Sequence, residues 1–100
     1  MSYNKLILKT NATIEIEKAI SYYCSINIGV AKKLEKEIRS SFKSISKNPE
    51  SFECRYSKIR IFWLNKFPYG VYYIWENCEV SILGFWHNKE GIPNKLPQIL

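Results

Sequence analysis

The spacing of apolar residues changes along the chain, and each change predicts a different element. Tyr3 to Lys9 (YNKLILK) has the apolar density of a short strand and ends at a polar break. Thr10 or Asn11 can cap a helix there, because a short oxygen-bearing side chain accepts from the free amides of a first turn. From Ala12, the positions Ile16, Ala19, Ile20, Tyr23 and Ile26 or Asn27 recur at three- and four-residue steps and make one helical face. Asn27-Ile28-Gly29 breaks that helix, with Gly29 suited to a left-handed helix end. A second helical face follows in Ala31, Leu34, Ile38, Phe42 and Ile45. Asn48-Pro49 closes it, since a residue before proline is pushed out of the helical region. On the polar side, Lys33 with Glu37 and Glu35 with Arg39 stand at pairing distance along the helix. So few residues separate the helices that they should form an antiparallel hairpin.

Glu50 to Tyr56 reads as a connector. The period then shortens to two: Ile59, Ile61 and Trp63 alternate with Arg60, Phe62 and Leu64. Lys66-Phe67-Pro68 turns the chain, and Pro68 belongs at a strand start or edge because it donates no ladder bond. Tyr69 to Trp75 is the next strand, Glu76-Asn77-Cys78 a turn, and Glu79 to Trp86 the last strand. After His87 the tail, residues 88–100, carries Gly91, Pro93 and Pro97 and reads as irregular or extended. The predicted order is β-α-α-β-β-β. It is an α+β fold with a helical hairpin packed on one face of a mostly antiparallel four-stranded sheet, in a single domain spanning 1–100. Both sides of Ile59 to Leu64 are largely apolar, so the second sheet face should be only partly exposed, or covered by another chain.

Composition adds constraints. One hundred residues at 46% hydrophobic content suit a modest core and exclude intrinsic disorder. No stretch approaches the roughly 20 apolar residues of a membrane span, and the first residues are too short for a signal peptide. The expectation is a soluble, cytoplasmic protein with no membrane contact. Cys24, Cys54 and Cys78 are isolated, without a CxxC pair or a neighbouring histidine. They read as small half-buried thiols rather than disulfide or zinc ligands, and neither a metal nor a cofactor is expected. The net charge is +6 with no aspartate, and only three of the 15 basic side chains are arginines. That balance suits nucleic acid, an acidic protein, or simply solvated lysines. Scarce arginine argues against a surface that reads base sequence.

The order Ala12-x-x-Glu15, Ala19-x-x-Tyr22-Tyr23, Asn48-Pro49, Ile59-Arg60, Phe67-Pro68-Tyr69, Val71-Tyr72-Tyr73 and Val80-x-Ile82, ending at His87, resembles the RelE/ParE toxin superfamily. The likeness runs from Lys5 to about Pro93 and is greatest to the ParE, or plasmid-stabilisation, branch. It implies the toxin of a type II toxin–antitoxin pair, held inactive by a cognate antitoxin that is acidic and partly disordered until bound. ParE members of the family poison DNA gyrase, whereas RelE-like members cut mRNA on the ribosome.

The ribonucleolytic members carry an arginine just before the Val-Tyr-Tyr-like run, where this chain has Gly70; near the last strand they show His-x-Arg-Arg or Lys-Arg, where this chain has His87-Asn88-Lys89-Glu90. Metal-free phosphate cleavage needs an acid, a base and a cation on the developing charge. The expectation is therefore a toxin that binds gyrase without chemistry of its own. The alternatives are a ribosome-dependent mRNA endoribonuclease and an inactive toxin that keeps its antitoxin contact.

For the nuclease alternative the catalytic candidates are His87, Tyr69 and Tyr73, with Arg60, Lys66 and Lys89 as target- or phosphate-binding candidates. Each has a plainer reading: a strand-end histidine bonded to backbone, tyrosines in cross-strand packing, an arginine paired with a glutamate. Glu15 reads as a helix-entry or bridging residue. Lys32, Lys33 and Lys36 are either a steering patch for an acidic partner or an ordinary solvated helix face.

Overall fold

A computed structural model describes residues 4–56 and 58–88 of the chain. Strand β1 (Lys5–Leu8) leads into helices α1 (Thr10–Ile26) and α2 (Ile28–Lys47), then a 3-10 turn at Pro49–Ser51. Four strands follow: β2 (Glu53–Tyr56), β3 (Ile59–Trp63), β4 (Tyr69–Glu76) and β5 (Glu79–His87). The sheet has five strands in the order β1-β5-β4-β3-β2, antiparallel throughout except that β1 runs parallel to β5. The expected α+β plan stands, with one strand more than the sequence predicts. The segment read as a connector supplies it, because Glu53 and Cys54 pair with Ile61 and Arg60 at the sheet edge. An edge strand of four residues has no room for a clear two-residue alternation, which is why its sequence is silent.

Helix α2 keeps its expected stripe, with Ala31, Leu34, Ile38 and Ile45 buried and Phe42 packed beside them. In α1, Ala12 and Ala19 are buried and Ile16, Ile20 and Tyr23 pack on the core, but Ile26 stays 62% exposed. The helix breaks are made differently from the expectation. Lys9, not Thr10 or Asn11, precedes α1, and it makes no side-chain cap. Asn27 ends α1 and caps α2 at once, its side-chain oxygen accepting from the N–H groups of Gly29 (2.8 Å) and Val30 (3.3 Å). Gly29 therefore lies inside α2 and has no left-handed conformation. Arg39 meets Glu35 at 3.7 Å as expected, and Glu15 meets Lys18 of its own helix at 3.8 Å. All three cysteines are exposed, not half-buried.

Two clusters of side chains lie on opposite faces of the sheet. The larger joins both helices to Leu64, Val71, Tyr73, Val80, Ile82 and Phe85. Asn4 sews its edge: Nδ2 donates to the Ser46 carbonyl at 2.9 Å, and Oδ1 accepts from the Trp75 indole at 3.2 Å. The smaller cluster holds Ile59, Ile61, Tyr72, Leu83 and Trp86, each at most 6% exposed. Ile74 is half-buried and Trp63 is 36% exposed, so the second face is only partly exposed, as the alternation suggests. Trp86 lies over Gly84, where a Cβ would overlap its ring, and Trp63 lies over Gly70, where a Cβ would stand 2.8 Å from the ring. A bulge at Tyr72/Tyr73 leaves Leu83 as an extra residue, so Leu83 and Gly84 share this face.

The β4–β5 hairpin turns through Asn77 (φ 51°) and Cys78 (φ 61°). Two left-handed residues make the turn whose twist matches the strands, and Asn-Gly is its usual sequence. Cys78 bears a left-handed cost of about 1–2 kcal/mol, which glycine would relieve at an entropic cost of about 0.5–1 kcal/mol. Cys78→Gly should raise unfolding free energy by about 0.5–1 kcal/mol in urea titration. Gly84→Ala should lower it by about 1–3 kcal/mol, because the buried Trp86 ring has nowhere to go.

Candidate functional site

Arg60 and Tyr73 pair directly across β3 and β4, and both side chains are committed to the segment just before β2. The Arg60 guanidinium donates to the carbonyls of Phe52 (2.8 Å) and Glu50 (3.3 Å). The buried Tyr73 hydroxyl donates to the Pro49 carbonyl at 2.6 Å. Together they tie down a stretch that has few strand partners of its own. Burial pushes the Tyr73 phenol well above its ordinary value of 10.0, and the nearby Arg60 cation pulls it back only in part. A phenol held neutral this firmly, its O–H already donated to a carbonyl, is poorly placed to shuttle protons.

Tyr69 and His87 are brought together. They pair in register at the far end of β4 and β5, with ring centroids 5.3 Å apart and edge-to-face. Tyr69 also stacks on Phe85 (4.8 Å, 6° between planes), and Tyr23 of α1 closes the group against Phe67 at 5.4 Å. The pair is half-buried at the end of the sheet, among aromatic rings.

Arg60 does not join them. It lies opposite Tyr73, four residues along β4 from Tyr69 and two strands across from β5. Strand geometry puts that at about 13 Å along and roughly 10 Å across, too far for one phosphate to touch both. Gly70 alternates to the other face of β4 from Tyr69, the face filled by Trp63 and Ile61. An arginine at that position would project away from the Tyr69–His87 pair.

Lys66 stands in the β3–β4 turn, exposed, and Lys89 lies outside the described residues. The turn is held by Glu37 of α2, whose carboxylate accepts from the N–H groups of Asn65 (2.7 Å) and Lys66 (3.3 Å). Sequence reasoning assigns Glu37 to Lys33 instead, since nothing local tells that a turn some thirty residues later will need an acceptor. It also misses a surface at the outer end of the helical hairpin, where Tyr22 (58%), Ile26 (62%) and Ile28 (66%) are exposed. The available signal is that Tyr22 and Ile28 are apolar yet fall outside both helical stripes. Among the described residues no group of three or more His, Cys, Asp or Glu side chains could hold a metal. Nor is any described helix long and apolar enough to cross a membrane.

The model of the family described as the ParE toxin of the type II toxin-antitoxin system, parDE, matches residues 6–91. The chain belongs to the ParE toxin family. Membership makes it the toxin half of a two-part system and implies an antitoxin partner. A solved structure described as the chromosomal ParDE TA system from P. aeruginosa contains a similar chain, with a TM-score of 0.75 and 17% sequence identity. The match covers 85% of this chain and 96% of that one, and at such identity it speaks to the fold. No curated protein matches the chain in sequence.

The raised phenol of Tyr73 has a pH signature in this ParE-family chain. The folded state keeps the proton longer than the unfolded state does, so the stabilisation is complete below pH 10.0 and is lost as pH rises through the folded value. Tyr73→Phe should cost about 1–3 kcal/mol near neutral pH, by leaving the Pro49 carbonyl unpaired. The difference from the native chain should shrink in alkali. Urea titrations at about pH 7 and about pH 11 check both points.

Proposed function

We propose that this ParE-family toxin arrests growth by binding DNA gyrase, with no catalytic step of its own, and that a cognate antitoxin neutralises it in the cytoplasm. The observation that carries this reading is the dispersal of the candidate chemistry. Arg60 and Tyr73 are bonded to main-chain carbonyls, and the arginine-equivalent position, Gly70, lies on the opposite face from His87. A phosphoryl-transfer site needs its cation and its proton donor within reach of the same few atoms. The Tyr69–His87 pair favours one alternative, ribosome-dependent mRNA cleavage, in which Lys66 and Lys89 would have to supply the positive charge. A toxin that has lost activity but keeps its antitoxin contact is the remaining form.

The antitoxin surface is assigned to the outer end of the helical hairpin. Tyr22, Ile26 and Ile28 expose an apolar patch, and a groove beside it is lined by Ile20, Cys24, Ala31 and Lys32. An amphipathic acidic helix, disordered when free, would answer both that patch and the net charge of +6.

Induced expression with separate readouts of supercoiling, DNA breakage and mRNA integrity distinguishes the readings. Loss of supercoiling with intact mRNA is the expected result. Codon-periodic mRNA cuts that vanish in His87→Ala would replace it with the nuclease reading, and absence of toxicity with the inactive one. Tyr22→Ala and Ile26→Ala should each weaken antitoxin binding by about 1–2 kcal/mol, measured by calorimetry, and leave the toxin folded.

A further inference from the structure

Between α2 and the β3–β4 turn runs an open groove of about 440 Å³, lined in part by Lys33, Lys36, Ser40, Phe62, Asn65 and Lys66. Lys33, Lys36 and Ser40 recur at steps of three and four along α2, so one side of the helix presents all of them. Lys66 and Asn65 face them from the turn. Among the described residues the one acid of the groove, Glu37, already accepts from the N–H groups of Asn65 and Lys66. Lys33, Lys36 and Lys66 are exposed, and among the described residues no ion pair involves them. Phe62 lies half-buried in the lining, its ring edge-on to Phe52 at 4.7 Å. Three ammonium groups gathered on a concave surface repel one another, and that same field concentrates anions there.

We propose that this groove binds the phosphodiester backbone of a single-stranded nucleic acid without reading its sequence. Lysines serve phosphates as point charges and impose little geometry. Ser40 and Asn65 add neutral hydrogen-bonding groups, and Phe62 offers an aromatic surface to a base. An acidic helical peptide fits less well, because it needs a row of apolar anchors, and Phe62 is the apolar member of this lining. The exposed aliphatic anchors are at the hairpin end, around Tyr22, Ile26 and Ile28. The site is independent of the gyrase reading and requires no catalysis.

Fluorescence anisotropy of the full chain with a labelled oligothymidylate, over a salt series, tests it. The native chain should bind, with log K falling linearly against log salt. The variant Lys33→Gln/Lys36→Gln/Lys66→Gln should lose about 2 units of that slope, at about 0.7 per phosphate contact on single strands. Lys5→Gln/Lys9→Gln/Lys18→Gln removes the same charge elsewhere and should keep the slope. Far-UV circular dichroism should superpose for all three proteins, and Lys66→Gln alone, with a loss of about 0.7, serves if the groove triple misfolds. Failure of the native chain to bind overturns the proposal, as does equal slope loss in both triples, which would mean diffuse charge. Tighter binding of polyglutamate, displacing the oligonucleotide, also overturns it and makes the groove a site for acidic protein.

Discussion

The hairpin of β4 and β5 is apolar on both faces along its middle, because it is the centre of the sheet and of both clusters. Strand β1 adds to the outer side of β5, β3 adds to β4, and the helices lie across the inner face. A strand in that position cannot keep a polar side. Val71, Tyr73, Phe85, Ile82 and Val80 fill the helix side, while Tyr72, Leu83 and Trp86 fill the other. Burying a large apolar side chain contributes about 1.5–3 kcal/mol, so this hairpin concentrates much of the driving force for folding in two adjacent strands. The glycines are part of the same constraint. Gly70 and Gly84 make room for indole rings on the face that α1 and α2 do not cover.

That packing bears directly on function. A residue type that could do chemistry in an open cleft is here used to hold elements together. Tyr73 and Arg60 bond the carbonyls of the segment between α2 and β2, where regular pairing is sparse, and the buried Tyr73 hydroxyl meets a carbonyl there. Gly70, which in sequence looks like a missing cation, is the floor under Trp63.

Two such surfaces differ in chemistry and lie on different parts of the helical hairpin. The end of the hairpin around Asn27 exposes Tyr22, Ile26 and Ile28, suited to an aliphatic partner. The side of α2 facing the β3–β4 turn exposes Lys33 and Lys36 opposite Lys66 of that turn, suited to phosphate. Glu37 connects the two sides of the second surface, since its carboxylate on α2 accepts from the turn amides of Asn65 and Lys66. One protein can therefore present an apolar face and a cationic one without either screening the other.

Periodicity alone determined the two helices, the three long strands and the α+β plan, because each of those elements buries one regular stripe or alternation. It located the helix-ending Asn48-Pro49 and the hairpin turn at Asn77-Cys78 for the same local reasons. Residue type and the family resemblance brought Tyr69 and His87 forward as candidates, and the fold does place them side by side. What only the tertiary structure decided depends on partners distant in the chain. Strand β2 exists because β3 offers it an edge. Glu37 leaves Lys33 because a turn needs its oxygens, and Ile26 stays exposed because α1 ends before the core reaches it. Arg60 and Tyr73 bond main-chain carbonyls far along the chain, and no spacing along a sequence records where a carbonyl will be.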